Sequence, residues 1–212
     1  MRIKKIFYIS IGISSLLLLR FQLGPILAEK SIDTLPEVTI EWEKTFETSI
    51  YEGGATPGAS LINTSDGGFL LVGSILQESS GNTDLKVIKT DSTGDQEWTK
   101  TFGGPQGDGG DTNVAVQTND GGYAISGYTY SFGAGSGDYW LLKLNASGTL
   151  EWNKTYGGPD FEASYSMIET ADEGFGLLGN TESNNIDMWF VKTNSTGDQE
   201  WNKSFGGFHF RF

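Results

Sequence analysis

Beyond residue 40 the chain alternates short apolar stretches with clusters of Gly, Asp, Asn, Ser and Thr. Apolar runs of this length bounded by turn residues read as strands, and no segment after Ala28 keeps a 3.6-residue apolar period over helix length. The pattern therefore predicts an all-β protein. Ser60 to Thr64 leads into Asp66-Gly67, a pair suited to a type I′ hairpin in which both turn residues take positive φ, and Phe69 to Ser74 returns from it. A variable loop leads to Leu85 to Thr90. Asp91-Ser92-Thr93-Gly94 makes the next turn, with Gly at the left-handed position, and Glu97 to Phe102 forms a fourth strand.

This four-strand unit recurs. Glu-Trp appears at 41–42, 97–98, 151–152 and 200–201, and each pair is followed two residues on by Lys44, Lys100, Lys154 or Lys203. Between these blocks lie NTSDGGFLLVG (63–73), QTNDGGYAISG (117–127) and ETADEGFGLLG (169–179), then DLKVIKTDSTG (84–94), DYWLLKLNASG (138–148) and DMWFVKTNSTG (187–197). Three features in one order at a period near fifty residues mark a repeat architecture. The units run 41–96, 97–150 and 151–199, with a partial copy at 200–207 and a tail at 208–212.

Strand composition predicts how the units pack. Leu141-Leu142 and Trp189-Phe190-Val191 are continuous apolar runs and Val87-Ile88 a shorter one, so both faces of these strands are expected to be covered. Gly73, Gly127 and Gly179 occupy one column of the second strand, where a missing side chain lets backbones approach. Four-stranded antiparallel sheets covered on both sides by copies of themselves stack radially as β-propeller blades, with the repeating Trp as wedges between them. Sequence supplies about three blades plus one spare strand. Closed propellers typically hold four to eight, so an incomplete, open propeller is expected, with exposed end faces. A truncated reading frame, assembly with a second chain and a curved monomer all fit that count.

The motifs W-x-K-T-[FY]-G-G, T-x-D-G-G-[FY]-x-x-x-G and D-x-W-x-x-K-x-[DN]-x-x-G resemble the propeller repeats of exported archaeal and bacterial surface proteins, described variously as kelch-like, quinoprotein-like or bulb-lectin-like. The resemblance spans residues 41 to about 207 and implies a fold and an exported location. It implies no activity, and no functional residue carries over. The chain departs from the pattern at Glu47-Thr48, which replaces Gly-Gly, and at Glu173, which replaces the middle Gly.

The first segment reads as an export signal. Met1 to Lys5 is cationic, Ile6 to Leu19 is an uncharged run of 14 mostly apolar residues, and Ala28 offers a cleavage point. Residues 1–28 form a signal peptide, expected as a hydrophobic helix, or an uncleaved anchor, and 29–40 a linker. The chain carries 27 acidic and 14 basic residues, and losing the four bases of the leader takes the net charge from −13 to −17. Such a charge disfavours nucleic acid and anionic surfaces and keeps an exported protein soluble. Five Asn-x-Ser/Thr sequons, at Asn63, Asn145, Asn153, Asn194 and Asn202, suggest a glycosylated exterior.

Composition excludes much chemistry. With no Cys there is no disulfide, thiolate metal site or cysteine nucleophile, and the single histidine, His209, has no evident partner. Asp108, Asp111, Asp160 and Glu162 crowd two Gly-bearing loops that could hold Ca2+, although their spacing matches no known calcium loop and a solvated loop is the simpler reading. Asp91 and its counterparts Asn145 and Asn194 are explained by turns. No pair of carboxylates stands out for glycoside hydrolysis. Accordingly no catalytic, cofactor-binding or metal-ligating residue is assigned. The expected function is binding or scaffolding at the cell surface without catalysis, through association with other blades, by self-association or through a second chain. A carbohydrate-binding module is the alternative, resting on the polar loops Ile75 to Thr83 and Ser131 to Gly137 with Tyr128, Tyr130 and Phe132 nearby. A remnant of a larger propeller enzyme is third.

Overall fold

The structure is a computed structural model of the 212-residue chain and describes residues 43–46, 60–77, 79–109, 113–182 and 186–206. The leader 1–28, the linker 29–40, the first Glu-Trp pair, Asp111, and the tail 208–212 with His209 lie outside the described residues. The chain divides into two units, Met1–Glu47 and Thr48–Phe212, and the three sheets all belong to the second.

All regular elements among the described residues are strands. The first sheet holds β1 (Ser60–Asn63), β2 (Phe69–Leu76), β3 (Thr83–Thr90) and β4 (Gln96–Phe102). The second holds β5 (Val114–Gln117), β6 (Tyr123–Thr129), β7 (Asp138–Leu144) and β8 (Leu150–Tyr156). The third holds β9 (Glu162–Glu169), β10 (Phe175–Thr181), β11 (Asp187–Thr193) and β12 (Gln199–Phe205). Each is an antiparallel meander in chain order, closed by its Glu-Trp strand.

The second sheet is covered on both faces, as its continuous apolar runs require. Because successive side chains of a strand point to opposite faces, Trp140, Leu142 and Leu144 of β7 join Tyr123 and Ile125 of β6 against Leu70, Val72, Leu85 and Val87 of the first sheet. Tyr139 and Leu141 face the other way, with Ala124 and Tyr156, against Met167, Phe175, Leu177, Trp189 and Val191 of the third. Every residue of β7 is buried. Two tyrosine hydroxyls also tie the second sheet to the third: Tyr139 donates to the Trp189 carbonyl at 3.0 Å and Tyr156 to the Gly197 carbonyl at 2.6 Å.

Two of the repeating tryptophans sit in the seams. Trp98 packs on Tyr123 with centroids 6.0 Å apart and lies so close to Gly148 that a Cβ there would come within 2.8 Å of its ring. Trp152 meets Phe175 at 5.9 Å and Gly197 in the same way. The glycine column behaves as expected at two positions: a Cβ on Gly127 would come 2.6 Å from Asn113 Oδ1, and one on Gly179 would collide with the Ala163 carbonyl.

The first hairpin turn differs from the type I′ expectation. Among its residues only Gly67 has positive φ, at 88°; Asp66 does not. Gly67 N–H bonds to the Thr64 carbonyl at 2.9 Å and Thr64 N–H to the Gly68 carbonyl at 3.0 Å, closing a three-residue loop with one left-handed residue. The Asp66 carboxylate accepts from Thr64 Oγ1 at 2.5 Å and Gly68 N–H at 3.0 Å, side-chain bonds that favour this loop over the two-residue turn. Gly121 fills the left-handed place in the second sheet at φ 81°, and in the third sheet Glu173 does so at φ 62°.

Candidate functional site

The recurring charged residues converge. The buried Lys89 ammonium lies 2.7 Å from Asp66 of the first turn, 2.8 Å from Glu97 of the Glu-Trp pair and 2.9 Å from the Thr90 carbonyl. Lys143 repeats this with Asp120 at 2.7 Å, Glu151 at 3.1 Å and the Leu144 carbonyl at 3.3 Å, and Lys192 with Asp172 at 2.8 Å, Glu200 at 3.0 Å and the Thr193 carbonyl at 2.7 Å. The ammonium thus clamps a hairpin turn to the last strand of its own sheet. Its hydrogen bond to Asp66 holds that carboxyl well below the usual range. Partial burial pushes Asp120 up, but Lys143, Thr118 and the Gly122 amide together bring it down to about 2. Burial opposes the charge on Lys89 and Lys192, yet their two carboxylates leave both raised. In the sequence Glu-Trp and its neighbours stand out as repeat markers and do not by themselves point to the clamp. The available signal was that Asp, Lys and Glu recur together in all three units.

The acidic loops are built into the sheet junctions. Asp108 is fully buried, accepting from Gly104 N–H at 2.7 Å, from Ser131 Oγ at 2.6 Å and from the Thr129 hydroxyl. Glu162 takes the matching place, accepting from Gly158 N–H at 2.9 Å and Thr181 Oγ1 at 2.8 Å. Each carboxylate therefore joins one sheet's exit loop to the next sheet's second strand. Among the described residues no group of three or more His, Cys, Asp or Glu is placed to hold a metal ion. The turn oxygens of Asp91, Asn145 and Asn194 are engaged by the amides two and four residues on. Two sequon carboxamides have structural work too: Asn153 and Asn202 accept from the indoles of Trp140 and Trp189, each at 3.3 Å.

Two surfaces remain. One is the outer face of the third sheet, where Ile168, Met188, Trp201 and Phe205 are 58, 51, 42 and 51% exposed. The corresponding residues of the inner sheets are covered: Leu85 and Tyr139, which occupy the Met188 position, are 1 and 0% exposed. Trp201 packs on its own sheet, with Phe190 at 5.1 Å and Lys203 at 5.8 Å, because no next sheet receives it among the described residues. This face holds a cavity of about 360 Å3 lined by Tyr165, Leu178, Asn180, Ile186, Asp187 and Met188.

The second surface is the rim formed by the 129–137 loop. Tyr128 meets Tyr130 and Phe161 edge-on at 5.4 Å each, and Tyr130 stacks on Phe161 at 6.0 Å. Phe132 leans on Trp140 at 5.6 Å. Of the aromatics named from sequence, Tyr130 and Phe132 are exposed and Tyr128 is half-buried, serving as a support for Phe161.

No family model matches this chain, and no curated protein sequence is significantly similar to it.

Proposed function

We propose that the chain is an exported cell-surface module of β-propeller type, an open arc of blades that acts by binding or scaffolding without catalysis. The observation that carries this reading is the outer face of the third sheet. It keeps large apolar residues at the positions that the first two sheets bury against their neighbours, yet leaves them in water. Contiguous exposed apolar surface of this kind marks an interaction site. A face about four strands wide and seven residues long covers roughly 450 Å2, within the range of functional patches on monomers. It is smaller than the roughly 800 Å2 per partner of a standard interface, so the association through it is weak unless the partner also grips the rims.

The experiment is sedimentation of the exported protein over a wide concentration range, beside a Phe190→Asp variant. Association that rises with concentration and is abolished by the charge supports a blade-docking face. A second reading, a carbohydrate-binding module, is favoured by Tyr130 and Phe132, 40 and 41% exposed beside the Ser131 and Gln106 polar groups of the same rim. A glycan array tests it. A protein that stays monomeric and retains no glycan removes both readings.

A further inference from the structure

Each junction between sheets encloses two acids with no base beside them. Between the second and third sheets they are Asp138, which opens β7, and Glu162, which opens β9, only 1 and 2% exposed. A Cβ built on Gly157 would lie 2.2 Å from Asp138 Oδ1 and 2.5 Å from Glu162 Oε2, so those two oxygens are at most 4.7 Å apart. Asp138 Oδ2 accepts from the Ala134 and Gly135 amides at 3.0 and 3.3 Å. Glu162 accepts from the Gly158 amide and the Thr181 hydroxyl. The first junction repeats the arrangement with Asp84 and the fully buried Asp108. There Asp84 accepts from Gln77 Nε2 at 2.7 Å through one oxygen, and its Oδ1 is buried with no hydrogen-bond partner.

Among the described residues no lysine pairs with any of these four acids. Lys89, Lys143 and Lys192 are held in their clamps and Lys154 is paired with Asp198. Two carboxylates so placed cannot both ionise cheaply, because burial disfavours each anion and its neighbour repels it. Burial first, and then the facing acid, raises Asp84 and Asp138 above the usual carboxylate range, against the hydrogen bonds they accept. The other titratable side chains on the elements around Asp138 are the phenols of Tyr128, Tyr130, Tyr139, Tyr156 and Tyr165, and phenols are neutral in acid. Asp160 meets the 129–137 loop through its backbone, its carbonyl accepting from Ser136 N–H at 3.2 Å. Glu162 is therefore the charge that Asp138 faces.

We propose that Asp138 and Glu162 form a proton latch between the second and third sheets. In mild acid the pair holds one proton, and a hydrogen bond between the two carboxyls replaces the repulsion that loosens this seam at neutral pH. A carboxyl held above its unfolded value binds its proton more tightly in the folded chain. Its contribution is therefore complete below about 4 and is lost as pH rises through the folded value. The clamp carboxylate of Asp120 runs the other way and weakens only below about 4.

Urea titrations at about pH 5 and pH 7.5 test the latch on wild type, D138N and E182Q. Asparagine keeps the acceptor for Ala134 and Gly135 and offers Glu162 a permanent donor, whereas E182Q removes an acid of the same charge from the exposed surface. The wild-type midpoint should rise on acidification. D138N should already exceed wild type at pH 7.5 and lose part of that rise, releasing up to about one proton fewer on unfolding in mild acid. E182Q should keep the rise. A D138N no more stable than wild type at pH 7.5, or one whose acid gain equals that of E182Q, overturns the proposal. Carboxyl-carbon NMR on the unaltered chain decides the matter even if D138N fails to fold. Asp138 should titrate above the ordinary value of about 4 with the Glu162 signal moving in the same step, and titration of Asp138 at or below that value overturns the latch. Stabilisation by added Ca2+ at pH 7.5 that D138N abolishes overturns it as well, because the pair then takes a cation in place of the proton.

Discussion

Replacing Lys143 by Met tests the lysine clamp at its most informative copy. The side chain is 8% exposed, so methionine keeps the buried stem and removes only the ammonium with its bonds to Asp120, Glu151 and the Leu144 carbonyl. Two effects oppose each other. Hydrogen bonds to a charged group are worth about 1.5–3 kcal/mol each, but an ammonium taken out of water costs several kcal/mol. The carboxylates decide the balance. Asp120 and Glu151 are 59 and 43% exposed, so they rehydrate when orphaned and do not carry the full penalty of a buried unpaired charge. The Leu144 carbonyl, on a strand residue that is fully buried, does not rehydrate. The expected loss is about 2 kcal/mol, below the 3–5 kcal/mol of a fully buried broken pair.

Urea unfolding followed by tryptophan fluorescence measures it, with the m-value unchanged if only stability moves. The pH dependence adds a second constraint. Asp120 is depressed in the folded state to about 2. Its contribution is therefore complete above the ordinary carboxyl value of about 4 and is lost as pH falls from there toward 2. Allowing for solvent screening of so exposed a group, this part is on the order of 1 kcal/mol. The gap between wild type and K143M should narrow over that window. A variant as stable as wild type at pH 7, or a gap indifferent to acid, would refute the claim that the clamp ties turn to strand.

Other expectations rest on the same geometry. Glu173→Gly should stabilise the protein by about 0.5–1 kcal/mol, because Glu173 alone among the described non-glycine residues has positive φ; a thermal melt checks it, and a loss of stability counts against backbone strain there. Trp152→Ala should cost about 3 kcal/mol while Trp201→Ala costs under about 1, since the first ring fills a seam and the second lies on an open face; equal costs in urea titrations would mean that Trp201 is covered in solution. Tyr139→Phe should cost about 1–2 kcal/mol, because the Trp189 carbonyl loses its buried hydroxyl donor.

Much of the fold was legible because the side-chain period of a strand is short and the repeat states it three times. The runs Leu141-Leu142 and Trp189-Phe190-Val191 announce strands wanted on both faces. The first run is satisfied on both sides, and the second only partly, because Phe190 faces outward. The turn at Asp66-Gly67 departs from the type I′ form because the Asp-Gly preference describes backbone alone, whereas here the Asp66 side chain supplies competing hydrogen bonds. The acidic loops were open to a calcium reading because sequence shows how many oxygens a loop has and not what they accept. Asp108 and Glu162 spend theirs on backbone amides and hydroxyls across the sheet junction. The clamp went unread because its three members are far apart in each unit, and only a folded hairpin brings Asp66 and Glu97 to the same nitrogen.

The position shared by Leu85, Tyr139 and Met188 shows why the third sheet's face carries the functional argument. All three project from the second residue of the same motif toward the side on which the next sheet lies. The first two are buried by it, and Met188 is half in water. If that exposure were all the residue experienced, nothing physical would hold the site apolar, because a polar side chain on an exposed strand face costs little. Yet Ile168, Leu178, Phe190, Trp201 and Phe205 around it are apolar or aromatic as well, in a chain with 27 acidic residues to place. Lys192 and Lys203 contribute the basic charge there, one held in a clamp and the other over the Trp201 ring. The carboxylates near it, Asp187 at the cavity and Asp172 and Glu200 on the Lys192 ammonium, lie at its margins, and the apolar centre resembles the faces that the first two sheets bury. Met188→Asp should therefore leave the isolated fold nearly as stable as before and abolish the concentration-dependent association proposed for this face, whereas Leu85→Asp should unfold it, both read by urea titration and sedimentation.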